Sequence, residues 1–369
     1  MKIGITGADG LIGWHQRAYL KAIDGGHEVR LASRATFRQP ESLVEFVDGL
    51  DAIIHLAGMN RGEDAQIEAT NAALARDLVA ACSRCGSRPF VVYANSTHQD
   101  RDTAYGRGKR AAANTFRVWA ERHDAGFANL ILPHVFGEFG KPFYNSVVST
   151  FCYQLARNET PQIISDGDLE LLHMQDVAAQ CLKAIQENQR GDIRMNGVGM
   201  KVSELLQRLT DMRDRYQSMV MPRLESALDV RLFNTLRAYL FPGHYPVALT
   251  LHSDARGSLF EVVKSGGGGQ VFMSTTHPGI TRGNHFHTRK IERFLVASGE
   301  AEIRLRKLFS NEVTRFQVRG DAPCYVDMPT FHTHHITNTG QSELVTLFWA
   351  NEIFDPTDPD TFPEQVDAA

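Results

Sequence analysis

Long apolar runs, cysteine and strong net charge are all scarce in this 369-residue chain. No apolar stretch approaches the ~20 residues that a membrane helix needs, so no membrane span is expected. Met1 and Lys2 lead straight into a strand pattern without the apolar h-region of a signal peptide. Five cysteines in so long a chain do not make a disulfide framework, which points to the cytoplasm. Cys82 and Cys85 form a CxxC, but it has no second pair and lies in an Ala-rich helical stretch, so it is read as structural. A net charge of -4 gives no reason to expect nucleic acid or an anionic membrane as a partner. Apart from the flexible SGGGGQ at 265–270, neither repeats nor low-complexity tracts occur. The length suggests two or three domains, and 43% hydrophobic with 22% charged residues is ordinary for a globular protein.

The N-terminus reads strand, Gly-rich turn, helix. Lys2 to Thr6 is a short apolar strand, followed by TGADGLIG with Gly7, Gly10 and Gly13 at GxxGxxG spacing around Leu11 and Ile12. Glycines there permit a tight turn and close approach of backbone N–H groups to a pyrophosphate, and a helix N-terminus adds a favourable field. The next strand, His27 to Ala32, runs into Ser33-Arg34 with no acid until Glu41. An acid at that place would hold a ribose 2′-hydroxyl. An Arg pairs with a 2′-phosphate, so NADPH is expected over NADH. A further strand, Asp51 to Leu56, ends in HLAGMNR, where Ala57 and Gly58 beside Leu56 would let a flat ring lie against the backbone. Phe90 to Ala94, counted as the fifth strand, ends in Asn95-Ser96-Thr97.

Tyr105 and Lys109 then form YxxxK at the start of a long Ala-rich helix. Residues at i and i+4 share a helix face. An ammonium beside a phenol lowers its pKa, which suits proton transfer near neutrality. Ser96, with Thr97 second, supplies the hydroxyl that would hold a substrate carbonyl. GxxGxxG, HLAG and YxxxK together resemble the extended short-chain dehydrogenase/reductases. That resemblance implies that LPHVFG at 132–137, with Pro133, lines the nicotinamide side, and that residues 141–159 cover a sugar nucleotide. Lys201 to Ala238 is read as helical from Leu205, Leu206, Leu209 and Met212.

FPGHYP at 241–246 marks a linker, giving domains 1–243 and 244–369. Beyond it the chain reads as short strands, among them Leu249–Leu251, Leu259–Val263 and Gln270–Thr275, as an all-β barrel requires. Gly279 to Gly299 reads G-x5-H-x-H-x4-E-x6-G, with His285, His287 and Glu292 at the fixed positions, and His334 follows in PTFHTHHITN. Histidines one residue apart on a strand point to one face. Three imidazoles and a carboxylate suit a divalent transition metal. This double motif resembles the cupin barrel, with Phe331 where the second motif usually has Gly.

Taken over residues 1 to 362, with HLAGMNRGED, YNSVVSTFCYQLARNE, RGNHFHTRK and NEIFDPTDPDTF, the chain resembles the CapF-type capsular polysaccharide biosynthesis enzymes. It departs from them at NSTH (95–98) and at Ala255. The resemblance implies an α/β Rossmann-type doubly wound parallel sheet followed by an all-β cupin barrel. It implies Zn2+ on His285, His287, Glu292 and His334, and C3 epimerisation in the cupin of a UDP-linked 4-keto-6-deoxy sugar. It further implies NADPH reduction of C4 through Ser96, Tyr105 and Lys109 to a UDP-2-acetamido-2,6-dideoxy-L-talose, and a homodimer. A metal polarising the ketone would stabilise the enediolate left when the C3 proton departs. His252, Asp254, Lys264 and Tyr325 are candidates for the base. A reductase with a structural cupin, an Fe(II) oxygenase cupin and a silent NADPH-binding scaffold are the alternatives.

Overall fold

The computed structural model describes residues 1–23 and 25–367. They form two compact units, Met1–Gly140 with Gly167–Lys201, and Lys141–Asp166 with Val202–Ala369. Residues 141–166 and 202–243, grouped by sequence with the N-terminal domain, thus lie in the unit that holds the barrel.

In the first unit, β1 (Lys2–Thr6), β2 (Glu28–Ala32), β3 (Ala52–His55), β4 (Phe90–Ser96) and β5 (Phe127–Leu132) join Gly191–Arg194 in a parallel sheet of order β2-β1-β3-β4-β5-191–194. Phe90–Ser96 is the fourth strand rather than the fifth, because residues 34–38 and 40–47 between β2 and β3 are helical. Alternate residues of each strand serve opposite faces. Ile53, Val91 and Tyr93 pack with Phe116 and Trp119, whereas Ile54, Val92 and Ala94 pack with Leu130 and Val177. With both faces covered, the strands read as continuous apolar runs rather than alternating ones. The winding reverses between β1 and β3, and the crevice beyond their carboxyl ends is where such sheets bind ligands.

In the second unit, the helices Val147–Ala156, Val202–Gln217 and Ala227–Leu240 accompany two five-stranded antiparallel sheets. One runs 247–248, Cys324–Met328, Glu292–Ser298, Leu344–Ala350, Gln270–Thr276; the other runs Val313–Arg319, Glu300–Lys307, His332–Asn338, Thr281–Phe286, 362–363. This is a double-sheet barrel. The single helix expected over 201–238 is broken. Met219 takes φ +60°, Val220–Met221 is a short strand, Pro222 cannot continue a helix, and Ser226 caps the next one through Asp229. The expected strand at 259–263 is also absent. Gly257–Leu259 instead folds back on His252–Asp254 as an exposed hairpin.

Candidate active sites

The glycine turn closes the end of β1. Gly7 has φ +68°, and a Cβ there would lie 2.7 Å from the Ala57 nitrogen. A Cβ on Gly13 would sit 2.2 Å from the Gly7 carbonyl oxygen, so helix and turn touch backbone to backbone. The helix Leu11–Ala22, which contains Ile12, starts at Gly10 without a side-chain cap, leaving N–H groups at its amino end for an anion. The segment after β3 is pinned beside this turn. Thr6 Oγ1 accepts from the Leu56 and Ala57 nitrogens, both at 3.2 Å. The buried Asn71 amide donates to Met59 O (2.7 Å) and Ile67 O (2.8 Å), and its oxygen accepts from Met59 N (3.0 Å). Its Oδ1 would be 2.8 Å from a Cβ on Gly58, so that residue too must be small. Sequence reasoning overlooked Asn71, which lies 12 positions beyond the loop it holds. Arg34 opens a short helix capped by Ser33 and is exposed. Pro133 is buried just past the carboxyl end of β5.

Thr103 caps the helix Ala104–His123 by accepting from Gly106 N at 3.1 Å, which sets Tyr105 and Lys109 at its start. The Lys109 ammonium donates to Ala94 O on β4 at 2.7 Å and lies 5.8 Å from the centre of the Tyr105 ring. Burial pushes Lys109 down to about 7. Burial also pushes the Tyr105 phenol up to about 12, and a hydrogen bond with Ser96 opposes this. In the protein alone, burial therefore outweighs the expected lowering of the phenol by the ammonium, and Tyr105 is a neutral acid at neutral pH. Ser96 ends β4 and also accepts from His98 N at 3.2 Å. The three residues predicted from sequence are thus brought together.

The second unit brings together the four predicted metal ligands. One donor atom from each of His285, His287, Glu292 and His334 lies within 4.8 Å of all the others. Glu292 Oε2 is 3.0 Å from His287 Nε2, 3.7 Å from His334 Nε2 and 3.8 Å from His285 Nε2. The shortest of these is poorly aligned for a hydrogen bond, and Nε2 of His287 and of His334 is buried with no hydrogen-bond partner. Their Nδ1 atoms face carbonyls, His287 that of Asp360 and His334 that of His332 at 3.1 Å. Outer nitrogens held by carbonyls and inner ones left without partners are the arrangement a metal-binding imidazole needs, so the donor set fits zinc. Burial pushes His334 down to about 4, keeping it neutral. Burial raises the Glu292 carboxyl, but the charge of His287 and the close approach of the three imidazoles hold it well below its usual range.

Local backbone explains the ligand directions. Gly283 (φ +114°) and Asn284 (φ +61°) form an irregularity in the pairing with His332–Asn338 that re-aims His285. Phe331, at the usual Gly position of the motif, has φ +59°, so it keeps the glycine conformation while filling the core. The strand His332–Asn338 was not expected, because histidines and threonines replace the apolar alternation there, and the strand expected to carry both His285 and His287 ends at Phe286, one residue before His287.

The cluster opens into a pocket of about 510 Å3 walled by Phe272, Phe294, Phe348 and Phe354. None of the four expected bases lines it. Tyr325, His252 and Lys264 line a separate cavity of about 170 Å3 beside Arg293. Glu292 and Arg293 are successive strand residues and so face opposite sides of their sheet. Asp254 is in the exposed hairpin, paired with Arg256. The titratable pocket residues that sequence reasoning missed are Lys290, Arg282 and Glu352.

Among the described residues, no helix is long and apolar enough to cross a membrane. Residues 3–196 match the NAD dependent epimerase/dehydratase family and residues 252–362 the polysaccharide biosynthesis C-terminal domain. The chain is 32% identical over 367 residues to UDP-2-acetamido-2,6-beta-L-arabino-hexul-4-ose reductase of Pseudomonas aeruginosa, covering 98% of each. The crystal structure of the capsular polysaccharide assembling protein CapF from Staphylococcus aureus matches at TM-score 0.64 and 31% identity, over 99% of this chain and 100% of that one. The structure of RMD from Pseudomonas aeruginosa complexed with NADPH shares the fold of the N-terminal part, at TM-score 0.56 and 19% identity over 65% of this chain and 99% of that one. The chain belongs to the NAD dependent epimerase/dehydratase family and, over its whole length, to its CapF-like capsular polysaccharide biosynthesis members, which join an extended reductase to a C-terminal polysaccharide biosynthesis domain.

Proposed function

We propose that the chain is a bifunctional UDP-sugar enzyme with separate epimerase and reductase sites. The barrel epimerises a UDP-linked 4-keto-6-deoxy-N-acetylhexosamine at C3. The Rossmann unit reduces C4 with NADPH, giving a UDP-2-acetamido-2,6-dideoxy-L-talose. The observation that carries this reading is the pair of complete residue sets: Ser96 at the end of β4 with Tyr105 beside Lys109, and three imidazoles with Glu292 around a common point. The 4-keto sugar named in the Pseudomonas aeruginosa relative supports the choice of substrate.

In the reductase site the N–H groups at the start of Leu11–Ala22 hold the cofactor pyrophosphate, Leu56 to Gly58 admit its adenosine, and Arg34 takes the 2′-phosphate. NADPH, when bound, supplies the hydride. Ser96 positions the C4 carbonyl, and Tyr105, neutral through burial, gives its proton to the C4 oxygen. Lys109, anchored on Ala94 O, fixes the polar environment of the phenol. In the barrel His285, His287, Glu292 and His334 would hold Zn2+, which polarises the ketone so that the neighbouring C3 proton becomes acidic. The phenylalanine walls give the pocket an apolar lining, beside which charge interactions are stronger than in bulk water. The intact chain, supplied with zinc, is incubated in deuterated water with the UDP-4-keto-6-deoxy sugar, with and without NADPH. C3 deuteration without NADPH is expected, with C4 reduction only when NADPH is added. His334→Ala should lose zinc and C3 exchange together. Full exchange in that variant refutes the assignment of epimerisation to the barrel.

A further inference from the structure

The metal pocket holds a buried cation that the chemistry above leaves unused. Lys290 lines the pocket with His285 and Glu292 and is only 5% exposed. Its ammonium donates to Pro359 O at 2.6 Å and to Thr361 Oγ1 at 3.3 Å. Both acceptors are neutral, and among the described residues no carboxylate forms an ion pair with it. The nearby Asp360 carboxylate is occupied otherwise. It accepts from Thr288 N (3.0 Å), Thr288 Oγ1 (2.6 Å), Arg289 N (2.9 Å) and Lys290 N (2.7 Å). An ammonium has three N–H donors, and two are engaged. A buried charge without a counter-charge is unfavourable until an anion meets it.

The other charged residues of the pocket do not offer this. Glu352 is tied to Arg289, and Arg282 is exposed and donates to Thr276 and Thr275. Pro359, Asp360 and Thr361 meanwhile fix Lys290 from both ends, one through its backbone nitrogen and two through its ammonium. The same Asp360 receives the outer nitrogen of His287 on its carbonyl, so one segment places both a ligand and the cation.

We propose that Lys290 is a catalytic residue of the barrel that donates its third N–H to an anionic oxygen of the sugar nucleotide, and that this oxygen is the one at C4 that becomes negative as the C3 proton leaves. The inference rests on the epimerase reading. Lys290 only donates a hydrogen bond: the C3 proton passes to a water molecule of the pocket and returns from water on the other face, the C3–H pair becomes the C3–C4 π bond, and the carbonyl π pair moves onto the C4 oxygen that Lys290 contacts. In a pocket walled by phenylalanine such a contact is strong. A diphosphate is the other anionic oxygen this site would take.

The test uses the intact, zinc-loaded chain and C3 deuteration without NADPH, with Lys290→Met and Lys290→Arg, and with bound zinc and thermal stability checked for each. Lys290→Met is expected to lower kcat of exchange by about 10²–10³, as for loss of an oxyanion donor, with KM and UDP inhibition within a few fold. Lys290→Arg is expected to restore part of kcat. A rise in KM and in the UDP inhibition constant at unchanged kcat would move the contact to the diphosphate and overturn the C4 assignment. Unchanged kcat and KM in a folded, zinc-bound Lys290→Met would refute the proposal entirely. Wild-type chain that exchanges no C3 proton would instead refute the epimerase reading beneath it.

Discussion

Phe331 poses a question that a single substitution answers. Cupin motifs place Gly here, and the backbone agrees, with φ +59°. Yet the side chain is fully buried. Phe331→Gly would relieve the left-handed conformation, a gain of about 1–2 kcal/mol. It would also empty a buried aromatic site, at a loss of about 3–5 kcal/mol, and add backbone entropy to the unfolded chain worth about 0.5–1 kcal/mol. Burial wins, and the variant should be less stable by about 2–4 kcal/mol. For a unit of about 150–250 residues each kcal/mol moves Tm by roughly 2–4 °C, so a drop on the order of 10 °C is expected in calorimetry. Zinc binding should persist, because the Phe331 N–H that donates to His287 O at 2.8 Å survives the change. An unchanged or raised Tm would mean that the backbone strain exceeds the packing, and the account of this departure from the motif would fall.

Tyr105→Phe should abolish NADPH oxidation while leaving NADPH binding within a few fold in a fluorescence titration and C3 exchange intact; near-normal turnover would sink the acid assignment. Arg34→Ala should weaken NADPH by about 1–3 kcal/mol, as loss of a charge-assisted phosphate contact does, and barely touch NADH; equal losses for both cofactors would rule out the 2′-phosphate contact. Lys109 has a folded pKa of about 7, depressed by burial from 10.5, so unfolding takes up a proton between those values and the stability of the wild type rises with pH across that window. Lys109→Met should therefore stabilise the cofactor-free protein most below pH 7, by denaturant unfolding, with the advantage shrinking towards pH 10; a pH-independent difference would contradict a buried, titrating lysine.

What the sequence makes legible follows from how local each constraint is. Gly7 and Gly13 are readable because a Cβ at either place meets backbone, and YxxxK because i and i+4 share one helix face. His285, His287 and Glu292 are readable because strand alternation and one turn suffice to gather them. Lys290 and Asp360 are not, because 70 residues separate the groups that bond. The base candidates Tyr325 and Lys264 fail for a related reason. Sequence spacing assigns both to the barrel, but strand pairing turns Tyr325 to the far side of its sheet and joins Lys264 to Val220–Met221, outside the two barrel sheets. The broken helix at 219–226 lay hidden because Leu205 to Met212 carries a strong helical pattern that says nothing of where it stops.

The two residue sets make opposite demands on one oxygen, which is a physical reason for keeping them in separate pockets. Reduction at C4 needs an acid beside the oxygen, and in the proposed reading Tyr105, buried and neutral, would be that acid. Epimerisation at C3 needs the same oxygen to stay negative until a proton returns to carbon from the other face. A neutral phenol beside it would protonate the oxygen and trap an enol. The barrel lines its pocket with Lys290, the proposed metal ligands and phenylalanine walls, and no tyrosine is among the lining residues. Epimerisation is a reversible exchange of protons, whereas reduction by NADPH runs one way. A chain carrying both would therefore draw the C3 equilibrium towards whichever epimer the reductase site accepts. On the proposed reading, the stereochemistry of the product would then be set at Ser96 and Tyr105, even though the bond that inverts would lie in the barrel.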